Sequence, residues 1–137
     1  MSTQYWSQSQ LRELSQSECL GLLAGKSVGR IAYTGPDGPE VVPVNFVLQH
    51  DTVLLATSPH SLLGRHLRFD VAAFQVDDID NQTQSGWSVL VRGRVEPVDT
   101  EDLPSAGARP HPWAAGQRRL HLRLVPRTIT GRRLLAG

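Results

Sequence analysis

The residues with the clearest chemical use stand together at Thr57-Ser58-Pro59-His60-Ser61. Ser58 is a natural helix N-cap, and Pro59 suits the first helical position, where an N–H would go unbonded. The amides of His60, Ser61 and Leu62 are then expected to point outward as free donors, with hydroxyls beside them. Such a helix start attracts an anion, a phosphate above all. Thr57 and Ser58 also read as an ordinary strand end and cap, which needs no ligand.

Other side chains offer a similar choice of roles. Asn45 stands in an otherwise apolar strand, where an unpaired amide would be costly to bury. It bonds either across the sheet or to the edge of a ligand. His60 and His66 flank the proposed anion corner, and a solvated surface role suits both. Asp77, Asp78 and Asp80 lack the glycine and glutamate of a calcium loop and read as a solvated turn. Arg118, Arg119, Arg132 and Arg133 make the C-terminal region basic, for solvation or interface pairing. Cys19 is a small apolar residue for burial. No Ser-His-Asp or Cys-His arrangement, metal cluster or P-loop is present in the sequence.

The composition bounds what can surround these residues. The 137 residues suit one domain, and 39% hydrophobic with 20% charged residues is ordinary for a folded soluble chain. A net charge of +1 gives no electrostatic case for nucleic acid. One cysteine fits a reducing compartment, no apolar run is long enough to span a membrane, and residues 1–10 lack the features of a signal peptide. The expectation is a cytoplasmic protein without membrane or nucleic-acid partners.

Strands must position the corner. Ser15-Gln-Ser-Glu18 is a capping box opening a short helix that stops near Gly25. Segments 28–34, 41–48, 52–57, 71–76, 87–98 and 120–130 read as strands, with a second short helix after Ser58. His50-Asp51 makes a tight turn between two of them. Trp87, Val89, Val91, Gly93 and Val95 share one face of their strand, and Leu120, Leu122 and Leu124 oppose His121, Arg123 and Val125. Pro126 marks an edge or a bulge. Residues 1–14 are expected to form an arm and residues 99–118 a long loop over the proposed site. Six strands with little helix predict a mainly β, antiparallel sheet closed into a small barrel.

In this order the segments resemble the flavin-binding split-barrel superfamily. The similarity is nearest to the pyridoxamine-phosphate-oxidase-like proteins of actinobacterial type and the nitroimidazole-resistance proteins. It covers residues 15–132 and rests on Pro43-Val44-Asn45-Phe46, Phe74-Gln75-Val76-Asp77 and Gly86-Trp87-Ser88-Val89-Leu90-Val91 with Gly93. The resemblance implies a six-stranded antiparallel split barrel and a homodimer with two flavin sites at the interface. It also implies an FMN-dependent oxidoreductase with a small-molecule substrate. By motif, Val44, Asn45 and Phe46 would line the ring, with backbone groups meeting its polar edge. Thr57, Ser58 and Ser61 would meet the phosphate. Trp87 is a candidate for ring stacking or core packing, and Trp113 for covering the cofactor from the partner subunit or anchoring its loop.

One place departs from the pattern. Members that hold FMN firmly carry lysine or arginine one or two residues after the serine of the helix start, where Leu62-Leu63 stand here. A phosphate without a cation loses charge-assisted bonds worth about 1.5–3 kcal/mol each. Arg65, Arg68 or Arg30 are the candidate replacements. A deazaflavin-dependent reductase, or a non-catalytic flavin- or haem-binding protein, is the alternative.

Overall fold

The fold is that of a computed structural model describing residues 10–58, 61, 70–111 and 119–135. Seven strands form one sheet: β1 (Gln10–Leu14), β2 (Val28–Gly35), β3 (Gly38–Gln49), β4 (Thr52–Thr57), β5 (Val71–Asp80), β6 (Ser85–Pro97) and β7 (Leu120–Leu135). Every pairing is antiparallel, in the order β1-β7-β4-β3-β2-β5-β6, and β6 pairs back to β7. Strands β2 to β7 therefore close into a six-stranded barrel, and β1 is added on the far half of β7. One long strand does both jobs: Leu120–Leu124 of β7 pair with β4, and Gly131–Leu135 pair with β1.

Local chemistry sets the connections. His50 and Asp51 both take positive φ (51° and 61°), the conformation a two-residue hairpin turn of the I′ type demands. Gly93 lies opposite Pro126, where the β6–β7 register shifts, so the proline marks a bulge. A Cβ on Gly93 would sit 1.9 Å from the Val125 carbonyl oxygen, so only glycine lets the two strands approach there.

The interior is filled by alternate residues. Ile31, Val44, Phe46, Leu55, Phe74, Val89, Val91, Leu122 and Leu124 are buried in one cluster, with the Phe46 and Phe74 rings edge to face at 4.8 Å. Helix α1 (Gln16–Ala24) packs against β7, β3 and β6 and buries Cys19 and Leu23. Its capping box is complete: the Ser15 hydroxyl accepts from the Glu18 amide at 3.1 Å, and the Glu18 carboxylate accepts from the Ser15 amide at 3.0 Å.

The barrel agrees with the sequence reading, and three details differ. Part of the expected arm is a strand, because the β1 backbone pairs with β7 and turns Leu14 into the core. β5 runs on to Asp80 where a turn was expected, because its ladder with β6 continues from Asp77–Ser88 to Asp80–Ser85. The acidic residues are paired: Asp77 accepts from the Gln75 amide, Asp78 bonds Lys26 at 2.8 Å, and Asp80 accepts the Gln82 and Thr83 amides. The expected second helix, apart from Ser61, lies outside the described residues. Among the described residues no helix is long and apolar enough to cross a membrane.

Candidate functional site

Alternation along the strands sorts the candidates by face. Val44 (6% exposed) and Phe46 (1%) point into the core, so their side chains cannot line a ligand on the outside; only their backbone can. Asn45 between them faces outward, half-buried, in register with Val28 of β2 on one side and Ala56 of β4 on the other. Trp87 is also a core residue. Its ring lies under the Lys26 ammonium at 5.9 Å, and that ammonium is held by Asp78, so packing is the role the structure gives it.

Beside Val28 a cavity of about 300 Å³ opens on the outer face, lined by Lys26, Val28, Arg30, Pro43 and Asp77. It adjoins the row that runs Val28–Asn45–Ala56 across three strands. The size is at the lower end of small-molecule pockets.

The end of β4 brings Thr57, Ser58 and Ser61 together. Ser61 donates its hydroxyl to the Ser58 carbonyl at 2.7 Å, and its hydroxyl oxygen lies 3.1 Å from that of Thr57. Either hydroxyl can donate in that second contact. The Ser61 amide also donates to the Ser58 carbonyl, at 3.1 Å. This corrects the expectation of a free donor at residue 61: a turn uses that amide. The hydroxyls, which rotate, are the groups this corner can turn toward a ligand. Leu62, Arg65, Trp113, His60, His66 and Arg68 lie outside the described residues.

Cations gather on the strand beside β4. β7 lies beside β4 with Leu120 opposite Thr57 and His121 opposite Ala56. Half-buried Arg119 immediately precedes β7. His121 continues the outward row to Val28–Asn45–Ala56–His121. Burial lowers the His121 pKa below its ordinary value, and the nearby cations Arg109 and Arg119 lower it further. Arg109 belongs to the segment after β6, which carries short 3-10 turns at Thr100–Asp102 and Ala106–Ala108, and its Nε donates to the Pro104 carbonyl at 2.8 Å. By contrast Arg123 is fully engaged by the β3–β4 hairpin, through Thr52 and Gln49 at 2.7 Å each. Arg30 lies on the outer face of β2, two strands from β4.

The sequence alternation put His121 on the polar face of its strand. It could not say that β7 would lie beside β4, because that pairing joins residues far apart in the chain. Hence the grouping of Arg119 and Arg109 around His121 is not visible in the sequence.

Comparison with known proteins agrees with this architecture. The structure of an FAD binding protein from Mycobacterium smegmatis is 38% identical, with 92% of this chain and 100% of that one covered and a TM-score of 0.79. A conserved protein of unknown function from Corynebacterium diphtheriae is 30% identical over 91% of this chain and 98% of its own, with a TM-score of 0.75. An uncharacterized protein of Mycobacterium tuberculosis is 29% identical over 90% of this chain and 86% of its own. The family described as pyridoxamine 5'-phosphate oxidase matches residues 15–133. On that match, and with its flavin-binding split-barrel fold, the chain belongs to the pyridoxamine 5'-phosphate oxidase family.

Proposed function

We propose that this protein is a flavin-dependent oxidoreductase acting on a small molecule, as a homodimer. The observation that carries the reading is the outward row Val28–Asn45–Ala56, with a cavity beside Val28 and the Thr57–Ser58–Ser61 hydroxyls gathered where β4 ends. The 38% identity to an FAD binding protein supports it. The residues fit the part common to FMN and FAD. The β3 backbone and Asn45 would hold the ring, and the hydroxyls of Thr57, Ser58 and Ser61 would hold the first phosphate. When bound, the flavin supplies the electron or hydride transfer, while the protein supplies orientation, electrostatics and a shaped pocket. No side-chain acid or base is required of the chain.

The hydroxyl corner already bonds to itself, so a phosphate exchanges those bonds for its own. Each neutral exchange is worth only about 0.5–1.5 kcal/mol net. The test is an absorption spectrum of the purified protein, followed by titration with FMN and with FAD. Flavin absorption bands, or saturable binding near a dissociation constant of about 1 μM (about −8 kcal/mol), are expected. Thr57→Val with Ser61→Ala should weaken binding by about tenfold, the loss of two such bonds. Wild-type protein that binds neither flavin ends the reading.

A further inference from the structure

We propose that the split between β2 and β5 binds a small zwitterion, whose carboxylate meets Arg30 and whose ammonium meets Asp77. That the zwitterion binds follows from these groups alone; that it is the substrate rests on the flavin reading above. The split is a place where the sheet stops pairing. The β2–β5 ladder consists of Ala32–Ala73, Ile31–Phe74 and Arg30–Gln75. Both strands run on past it, β2 back to Val28 and β5 on to Asp80. The cavity of about 300 Å³ opens there, with buried Gly29 and Val76 beneath it. A Cβ on Gly29 would stand 2.4 Å from the Phe74 ring, so only glycine lets β2 lie this close to the β5 side chains. Val28 at the cavity rim pairs with Asn45, which puts the opening one strand from the proposed ring.

Three charged side chains line this opening, and they are not equivalent. Lys26 is committed: its ammonium bonds the Asp78 carboxylate at 2.8 Å and lies over the Trp87 ring. Asp77 accepts from the Gln75 side-chain amide through Oδ2 at 2.8 Å, and its Oδ1 keeps its capacity to accept. Arg30 makes no hydrogen bond or ion pair among the described residues. Both Arg30 and Asp77 alternate with buried neighbours and so face outward. Arg30 stands opposite Gln75, two residues before Asp77, a diagonal of roughly 7–8 Å that long side chains can bridge. The two opposite charges nevertheless do not pair, and both line the cavity. A simple anion there meets Asp77 as well as Arg30, and a simple cation meets Arg30 as well as Asp77, so each is disfavoured by one wall. A zwitterion satisfies both. The guanidinium fork matches a carboxylate, and an ammonium supplies the donors that Asp77 can accept. A cavity at the lower end of small-molecule sites limits the ligand to about the size of an amino acid.

The experiment titrates the full-length protein with 4-aminobutyrate, butyrate and butylamine, following the Val28 and Gly29 amides and the Arg30 side-chain N–H by NMR. 4-Aminobutyrate should give saturable shifts, and the two probes that lack one charge should bind about tenfold more weakly or worse. Arg30→Gln should bring 4-aminobutyrate down to the level of butylamine, and Asp77→Asn should bring it down to the level of butyrate. The three-probe comparison needs only the wild type, so it decides the matter even if a variant fails to fold. Equal affinities for the three probes, or no saturable shift, overturn the site. These titrations need no flavin, so zwitterion binding in a protein that takes up neither FMN nor FAD upholds the site while the flavin reading fails. Where flavin is bound, 4-aminobutyrate should shift its absorption bands in the wild type and not in Arg30→Gln. An unchanged flavin spectrum on zwitterion binding overturns its assignment as the substrate.

Discussion

Phe46 and Asn45 are neighbours in the chain and lie on opposite sides of the barrel wall. Phe46 is 1% exposed and stacks edge to face on Phe74, so Phe46→Ala removes a core ring and leaves a cavity. A loss of about 3–5 kcal/mol in chemical denaturation is expected. A loss below 1 kcal/mol would mean that the core is not built around this pair. His121 gives a pH signature instead. Its pKa is lowered in the folded state, so the unfolded chain binds more protons below the ordinary value of 6.5. Stability is therefore full above that pH and declines as the pH falls toward and through the lowered folded value. Thermal melts from pH 7.5 to 5 should show this decline, and His121→Gln should flatten it. An unchanged slope in the variant would assign the effect elsewhere. At this scale the sequence was informative wherever period-two alternation held: the inward set Trp87, Val89, Val91, Gly93 and Val95 is the set the structure buries or turns inward. It was silent on the pairing of Ala56 with His121, because alternation gives the face of a residue and not its neighbour on the next strand.

Elements were legible in proportion to how local their causes are. The capping box of Ser15 and Glu18 needs four consecutive residues, and both of its bonds are present. The His50-Asp51 turn is equally local. β1 is the contrary case. Gln10, Leu11, Arg12 and Glu13 are all exposed and show no alternation, and the strand exists because the far half of β7 offers an unpaired edge. No residue within Gln10–Leu14 announces that. The helix carries a prediction of its own. Ser15→Ala removes the acceptor for the Glu18 amide and should cost about 0.5–2 kcal/mol. Glu18 adds a pH dependence. The Ser15 amide hydrogen bond holds its carboxyl below the ordinary 4.5, so this support is present above that pH and fades as the pH drops through the lowered value. If the variant lost no stability, the helix would be held by Cys19 and Leu23 packing alone.

At the scale of the molecule, the barrel leaves one outer face unusually apolar. Leu11 (61% exposed) and Ile79 (59%) lie in one row with Leu134 and Gly86, running across β1, β7, β6 and β5. Gly86 contributes no side chain, and a cavity of about 370 Å³ opens along this row. A second of about 570 Å³ continues past Glu13, Gln75, Ser88 and Arg132. A row of apolar groups left in water suits an interface. In a two-fold dimer each patch is met by the same patch of the other copy, and about 800 Å² per partner is the usual requirement. The proposed homodimer therefore predicts a solution mass of twice the 15.1 kDa chain by light scattering. Leu11→Asp with Ile79→Asp places four like charges in that interface and should reduce the mass to a single chain. Both residues are exposed in the monomer, so the thermal transition should persist and show that the barrel still folds. Flavin affinity should fall with the mass if the binding site needs both subunits, and stay if it does not. A wild type that sediments as a monomer, or a double variant that still pairs, would assign this face to something other than a second copy of the chain.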